Sequence, residues 1–464
     1  MATYDLIVIG GGPAGYVGAI RAAQLGKKVA CVENDRAGGT CLNWGCIPTK
    51  ALLKNAELYH TVAHRAEEFG LNIEGLSYDW EKVVGRSRGV ADKLAGGIEF
   101  LFKKNKIDYI RGTGGLAANG KVEVVDKDGN TELYTTENVL LATGCVSREL
   151  PFLPFDGEKV IGSKEALQMK KQPKSIAIIG AGAIGIEFAY FFNAYGTETT
   201  VIEMMDNILP VEDNEVSKTL EKSLTAQGIN IHTSTKTASA EVTDKGVKLT
   251  VEPAEGGDSQ TIEAEVCLVA VGVAPVLPAN AEQLTLTDRG YIEVGERYET
   301  NIPNVYAAGD IIGPPWLAHV ASYEAIQAVE GMFDSSFDPK KVTLFPGCTY
   351  CHPEVASIGL TEQACKEKGL DYRVGKFPFA ASGRALAVGE SEGFVKMIFD
   401  KKYGEILGAH IIGAGATESI AELGLAISME ATNEDIEATI HSHPTLAEAI
   451  HEATGAAFGH PIHI

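Results

Sequence analysis

One pattern occurs twice in this chain and restricts its fold more than any other. A strand-like run, Asp5–Ile9, enters Gly10-Gly11-Gly12-Pro13-Ala14-Gly15, continues as a helical stretch from Tyr16 to Leu25, and is followed by a second strand from Lys28 to Val32 that ends at Glu33. Ser175–Ile179 enters Gly180-Ala181-Gly182-Ala183-Ile184-Gly185 in the same way, with a helix through Tyr190 and a strand from Thr199 to Ile202 that ends at Glu203. Each acid lies 23 positions past the first glycine of its motif. Strand, glycine turn and helix in this order form the unit in which backbone approaches a pyrophosphate at a helix N-terminus, while the acid accepts from a ribose hydroxyl. One Gly-x-Gly-x-x-Gly is weak evidence. Its repetition with strand, helix and acid implies two dinucleotide sites. The later halves echo each other too, with Leu140-Leu141-Ala142-Thr143-Gly144 and Leu268-Val269-Ala270-Val271-Gly272.

A chain of 464 residues is too long for one core and suits about three domains. The expected fold is α/β: two Rossmann-like domains and a C-terminal α+β domain. Residues 1–145 make the first nucleotide domain, with an extra helical stretch from Lys50 to Phe102, and residues 146–272 make the second. The Pro-, Gly- and Lys-rich stretch from Pro151 to Pro173 is the crossing. Residues 273–344 complete the first domain through Thr300–Asp310, a strand ending in Gly-Asp, where Asp310 sits at a ligand-binding strand end. Residues 345–464 contain the antiparallel-looking strands Phe394–Phe399 and Glu405–Ile412. Helices at Thr417–Ala431 and Leu446–Ala453 follow, with alanine-rich faces that suit close subunit packing.

Between the first motif and the helical stretch lies Gly38-Gly39-Thr40-Cys41-Leu42-Asn43-Trp44-Gly45-Cys46-Ile47-Pro48-Thr49-Lys50. Five extended residues span about 17 Å, whereas bonded cysteines need Cα atoms within about 7 Å, so a Cys41–Cys46 redox pair requires this segment to curl at Gly45. Pro48 suits the first turn of a helix, which puts Cys46 just ahead of a helix N-terminus that favours thiolate. Two unrelated buried thiols are the plainer alternative on spacing alone.

Lys and Arg total 40 against 62 Asp and Glu, a net charge of −22. Such a surface argues against nucleic acid and anionic membranes. No segment approaches the ~20 apolar residues of a membrane span. The first strand begins at residue 5, leaving no room for a targeting peptide unless one has been removed. Eight cysteines in so long a chain make no disulfide framework, so a reducing cytoplasm is expected.

Near the end, Thr445 and Glu448 form a Thr-x-x-Glu capping box, with His443 just outside the helix start. A histidine there can shuttle a proton to a thiol near neutral pH. No further ligands accompany His441 and His443, so no metal is expected.

Taken together, the chain resembles the flavin-dependent pyridine nucleotide–disulfide oxidoreductases, and among them the branch that oxidises dihydrolipoamide. The residues carrying the likeness are 10–16, 38–50, Tyr306-Ala307-Ala308-Gly309-Asp310, Leu317-Ala318-His319 and His443-Pro444-Thr445-Leu446-Ala447-Glu448. The resemblance implies FAD held by Gly10, Gly12, Pro13, Ala14, Gly15, Glu33, Thr40, Lys50, Gly114, Thr143, Gly144, Asp310 and Ala318. It implies NAD held by Gly180, Gly182, Gly185 and Glu203, with Glu187 and Gly272 also among the cofactor-binding residues. Glu203 would repel a 2′-phosphate, favouring NAD over NADP. Lys50 and Glu187 would pair beside the flavin, where a positive charge favours its reduced form.

The implied catalytic set is Cys41 and Cys46 as the redox disulfide, with His443 as the base oriented by Glu448. A homodimer is implied in which His443 serves the other subunit. The implied partner is a lipoyl-carrying protein of a 2-oxo acid dehydrogenase complex or glycine cleavage system. A related NAD(P)H-dependent flavoprotein reductase acting on another disulfide is the alternative. Two features depart from the usual pattern. Val273-Ala274-Pro275 stands where the family often has an arginine, and Cys145 where serine is common. Cys348-Thr349-Tyr350-Cys351-His352 also matches a haem-attachment pattern, but on an expected strand its cysteines face opposite ways, and chance is the reading.

Overall fold

The computed structural model describes residues 3–118 and 121–464. The first motif forms strand Thr3–Ile9, helix Pro13–Gln24 and strand Val29–Glu33. Val29–Glu33 is buried along its whole length, as a central parallel strand covered on both faces must be. The sheet runs in the order Asp108–Arg111, Val29–Glu33, Thr3–Ile9, Thr131–Leu141, Lys121–Val125 and Thr113–Ala117. Thr131–Leu141 changes partners along its length: it begins antiparallel to Lys121–Val125 and ends parallel to both Thr3–Ile9 and Val305–Ala307. Since Ile9, Leu141 and Ala307 end parallel strands of one sheet, Gly10, Thr143 and Gly309-Asp310 emerge at the same edge. That edge is where open parallel sheets bind ligands.

The second motif repeats the plan. Strands Asn230–His232, Glu198–Ile202, Ser175–Ile179, Val266–Val269 and Val160–Ile161 form a parallel sheet in that order. A three-stranded antiparallel sheet (Thr235–Thr243, Gly246–Pro253, Gln260–Ala264) lays Val247, Leu249 and Val251 against Ile179, Ile202 and Val269. The two chain crossings between the nucleotide units pair with each other, Cys145–Ser147 antiparallel to Val273–Pro275.

The C-terminal part is a five-stranded antiparallel sheet ordered Gly347–Thr349, Val355–Gly359, Ile406–Ile412, Phe394–Asp400 and Tyr372–Pro378. Helices Ala416–Ser428 and Glu448–Phe458 accompany it. The alanine stripe of the second helix, Ala449, Ala453 and Ala457, belongs to this chain's own core and not to a subunit contact. A Cβ on Gly375 of the adjacent strand would stand 1.9 Å from the carbonyl of Ala453, so only small residues permit this approach.

A buried ion cluster joins the second nucleotide unit to this sheet. Lys396 and Asp213 are each 1 % exposed, and the Lys396 Nζ lies 3.0 Å from Asp213, 2.9 Å from Glu215 and 2.7 Å from Glu362. Asp213 also caps helix Asn214–Ala226 by accepting from the amide of Glu215. Lys396→Met strands that carboxylate without its cation and should destabilise the protein by about 3–5 kcal/mol, read as an earlier denaturation midpoint. The Lys396 hydrogen bond, opposed by burial and aided by Lys366, holds the Glu362 carboxyl down at about 2. A depressed carboxyl stabilises above its unfolded value of about 4.3, so this share of stability is present at neutral pH and disappears as pH falls from there towards about 2.

Candidate active site

The two acids are held identically. The Gly11 amide donates to Glu33 Oε2 and the Asp35 amide to Oε1, both at 2.7 Å. In the second unit, the Ala181 amide donates to Glu203 Oε2 at 2.7 Å and the Met205 amide to Oε1 at 2.8 Å. Each carboxylate thus ties its glycine loop to the end of the second strand, and its remaining lone pairs can accept ribose hydroxyls. The glycines are required by contact. A Cβ on Gly10 would lie 2.3 Å from the Ala142 carbonyl and one on Gly180 2.5 Å from that of Ala270, while φ is +104° and +102°. Gly15 and Gly185 meet the carbonyls of Gly10 and Gly180 in the same manner, at 1.8 and 1.9 Å.

The first site accepts FAD by two tests. The buried hydroxyl of Thr143 has no protein partner at the sheet edge. Burial also pushes the Asp310 carboxyl up to about 6, a cost that a hydroxyl donated to it would offset. Gly309 brings Asp310 to the loop, since a Cβ there would stand 3.0 Å from that of Ala14. Gly39 lies over Gly12, carrying Thr40 to the same place, and Ala318 opens helix Ala318–Phe333. Gly114 packs tightly on the strand ends at Ile9 and Val32, where a Cβ would stand 2.8 Å from the Ile9 side chain. The second site accepts a dinucleotide equally well: the space in front of Gly182 and Gly272 is open. Beside the Val273-Ala274-Pro275 stretch, Arg148 donates its amide to the Gly272 carbonyl (3.0 Å) and its guanidinium to that of Val273 (3.1 Å).

Cys41 lies in the short helix Gly39–Trp44, and Cys46 is the first residue of helix Cys46–His64. The curl expected at Gly45 is there, with φ −149° and ψ −115° between the two helices. The pair is electrostatically unequal. The hydrogen bond to Cys46, then burial, raises the Cys41 thiol well above its ordinary value. The same hydrogen bond lowers Cys46 against the cost of burial, assisted by Lys50 one turn along the helix. Lys50 Nζ lies 2.9 Å from both oxygens of Glu187, which is 4 % exposed on helix Ala183–Ala194 of the second unit. The cation therefore faces the thiols while anchored to the domain that holds the second nucleotide.

One residue here was not anticipated from the sequence. The Tyr350 amide donates to Glu187 Oε1 at 2.9 Å, and the Lys50 ammonium stands 4.5 Å from the Tyr350 ring centroid. The Cys-x-x-Cys-His pattern drew attention to its cysteines, whereas the strand ends at Thr349 and Cys351 is buried beyond it, donating to the Pro353 carbonyl. An aromatic side chain at a strand end offered no signal of its own.

His443 and Glu448 are together but stand apart from the thiols. The ring Nδ1 lies 2.8 Å from Glu448 Oε1, and the Thr445 amide donates to Oε2 at 2.7 Å. The capping box is half made, since the Thr445 hydroxyl turns to the Ser442 carbonyl and the helix begins at Glu448, not Leu446. Burial opposes the charge on Glu448, yet the Thr445 amide and then the His443 ring outweigh it and hold the carboxyl below its usual range. An ionised Glu448 fixes the proton on Nδ1 and leaves Nε2 as the basic nitrogen. The His443 side chain is 80 % exposed, facing outwards from the C-terminal domain.

Comparison with known proteins agrees with this geometry. The family profile "Pyridine nucleotide-disulphide oxidoreductase" matches residues 4–325, and that of its dimerisation domain matches residues 345–454. A dihydrolipoyl dehydrogenase of Bacillus subtilis is 45 % identical with all of both chains covered. Dihydrolipoyl dehydrogenase 1, mitochondrial, of Arabidopsis thaliana is 42 % identical over 99 % of this chain and 91 % of its own. The solved structure of LpdA from Mycobacterium tuberculosis shares the fold at a TM-score of 0.88, covering 98 % of this chain and 99 % of that one at 24 % identity. With paired glycine loops, an unequal thiol pair at a helix start and relatives aligned from end to end, the chain belongs to the pyridine nucleotide-disulphide oxidoreductase family.

Proposed function

We propose that this enzyme oxidises dihydrolipoamide to the lipoamide disulfide and passes the electrons through Cys41–Cys46 and FAD to NAD. The observation that carries the chemistry is the position of Cys46 as the first residue of helix Cys46–His64, one turn before Lys50, where helix N-terminus and ammonium both favour its thiolate. In the oxidised pair, the better leaving group is the sulfur with the lower thiol pKa. Attack is therefore directed at Cys41, and Cys46 leaves as thiolate facing Lys50. The base that makes the attacking thiolate is His443, through the Nε2 left free by Glu448. Because that ring faces outwards, the reading includes a homodimer, supported by the dimerisation-domain match. The partner subunit's His443 takes one proton from the substrate, and the resulting thiolate displaces Cys46 from Cys41. The second substrate sulfur then displaces Cys41, its proton passing to the departing Cys41 sulfur, which closes the lipoamide disulfide and leaves the enzyme reduced by two electrons, with Cys41 a thiol and Cys46 a thiolate. Bound FAD supplies the acceptor for those electrons and a hydride for NAD.

The substrate is carried by a lipoyl-bearing protein of a 2-oxo acid dehydrogenase complex or glycine cleavage system, and the −22 charge suits a basic docking surface. A reducing compartment such as the cytoplasm fits a chain whose eight cysteines make no disulfide framework, and among the described residues no helix is long and apolar enough to cross a membrane. We divide the chain into 1–145, 146–272, 273–344 and 345–464; the pairing of Cys145–Ser147 with Val273–Pro275 and the return of Val305–Ala307 to the first sheet support the first two boundaries.

Steady-state kinetics test the scheme. Because the reduced enzyme stores the electrons between the two half-reactions, dihydrolipoamide and NAD should give the parallel reciprocal plots of a ping-pong mechanism; intersecting lines would count against the stored dithiol. Glu203→Gln keeps one acceptor oxygen at the second site but removes its charge. It should narrow the preference for NAD over NADP, measured as kcat/KM, by about tenfold or more, the scale of one hydrogen bond to a charged group.

A further inference from the structure

We propose that Tyr350 is a positioning residue for Lys50, its ring and backbone amide together fixing the ammonium between Glu187 and Cys46. Glu187 can hold Lys50 from one side only, and Lys50 ends a long flexible stem that is 30 % exposed. The ring closes the second side at 4.5 Å, within the range of a cation–π contact. The amide of the same residue donates to Glu187 Oε1, so one residue locates both the cation and its counter-ion. Tyr350 follows strand Gly347–Thr349 of the C-terminal sheet, whereas Lys50 and Glu187 lie on helices of the two nucleotide units. The site thereby acquires a contact from its own chain's C-terminal sheet, whereas the base of the proposed reaction comes from the partner subunit. The phenolic group is not needed for this: the ring face and the main chain make both contacts.

The inference rests on the thiolate reading of Cys46 given above, and the test separates the two. Groups bearing on Cys46 are Cys41, Lys50 and Glu187, and those bearing on Tyr350 are Cys348, Glu187, Glu354 and Glu418. The ultraviolet absorbance of thiolate is followed against pH in the reduced, flavin-loaded enzyme, with Cys46→Ser giving the Cys46 contribution by difference. Tyr350→Phe should titrate as the wild type. Tyr350→Leu should move the Cys46 midpoint upwards by roughly half to one pH unit, and should move it no further in a Lys50→Met background. A general loosening of the fold would act in both backgrounds. An unchanged midpoint in Tyr350→Leu, or a shift of equal size without Lys50, would overturn the proposal. A wild-type titration that does not change with Cys46→Ser would overturn the thiolate assignment, and this proposal with it.

Discussion

Cys46→Ser should reduce the rate of NAD reduction by dihydrolipoamide by more than ~10⁴-fold, the scale on which losing a covalent participant is felt. Serine is nearly isosteric, and the first residue of helix Cys46–His64 places no demand on sulfur for folding. What disappears is the disulfide that the substrate must open. Cys41→Ser should have an equal effect, and the double variant should be no worse than either, because the two sulfurs act as one unit. Electron flow from NADH to a soluble dye bypasses the pair and should survive in all three. Joint loss of both activities would mean that the substitution damaged the nucleotide sites, and an active Cys46→Ser enzyme would dismiss the disulfide mechanism.

His443→Gln should lower turnover with dihydrolipoamide by about 10²–10⁴-fold, the usual contribution of a positioned base. Its exposure makes a folding explanation weak, since the ring touches Glu448 and solvent. Glu448→Gln should cost less, because the glutamine oxygen still accepts from the Thr445 amide or from Nδ1, though without charge. If the base is donated between subunits, mixing His443→Gln with Cys41→Ser chains should restore activity. A mixed dimer would have one complete site, with a wild-type cysteine pair facing a wild-type histidine. Failure of such mixtures to regain activity under exchange conditions would place the histidine in its own subunit's reaction or in none.

The parts legible in the sequence are those encoded by neighbours. The glycine turns declare themselves because no Cβ fits between Gly10 and Ala142 or between Gly180 and Ala270. Cys46 at a helix start follows from Gly45 and Pro48. Contacts between distant segments left no such mark. Lys50, Glu187 and Tyr350 are separated by 137 and 163 positions, and only the packing of three domains brings them together. Lys396 reads as the exposed residue of an apolar strand, yet it is buried because three carboxylates meet it from other elements. The alanines of Glu448–Phe458 suggested a partner subunit because small residues permit any close approach; only the position of Gly375 reveals that their partner is the chain's own sheet. Nor does the motif show that Thr445 turns its hydroxyl to Ser442 while Glu448 divides its oxygens between an amide and a histidine.

The central claim is that a dithiol–disulfide exchange at Cys41–Cys46 feeds electrons to NAD, and the most direct test is anaerobic NAD reduction by the flavin-loaded protein, with dihydrolipoamide and reduced glutathione as alternative donors. Rapid NADH formation with dihydrolipoamide, little with glutathione and little with NADP in place of NAD is the predicted result. Flavin-loaded protein that forms no NADH from dihydrolipoamide, or forms it equally well after Cys41→Ser, would contradict the account.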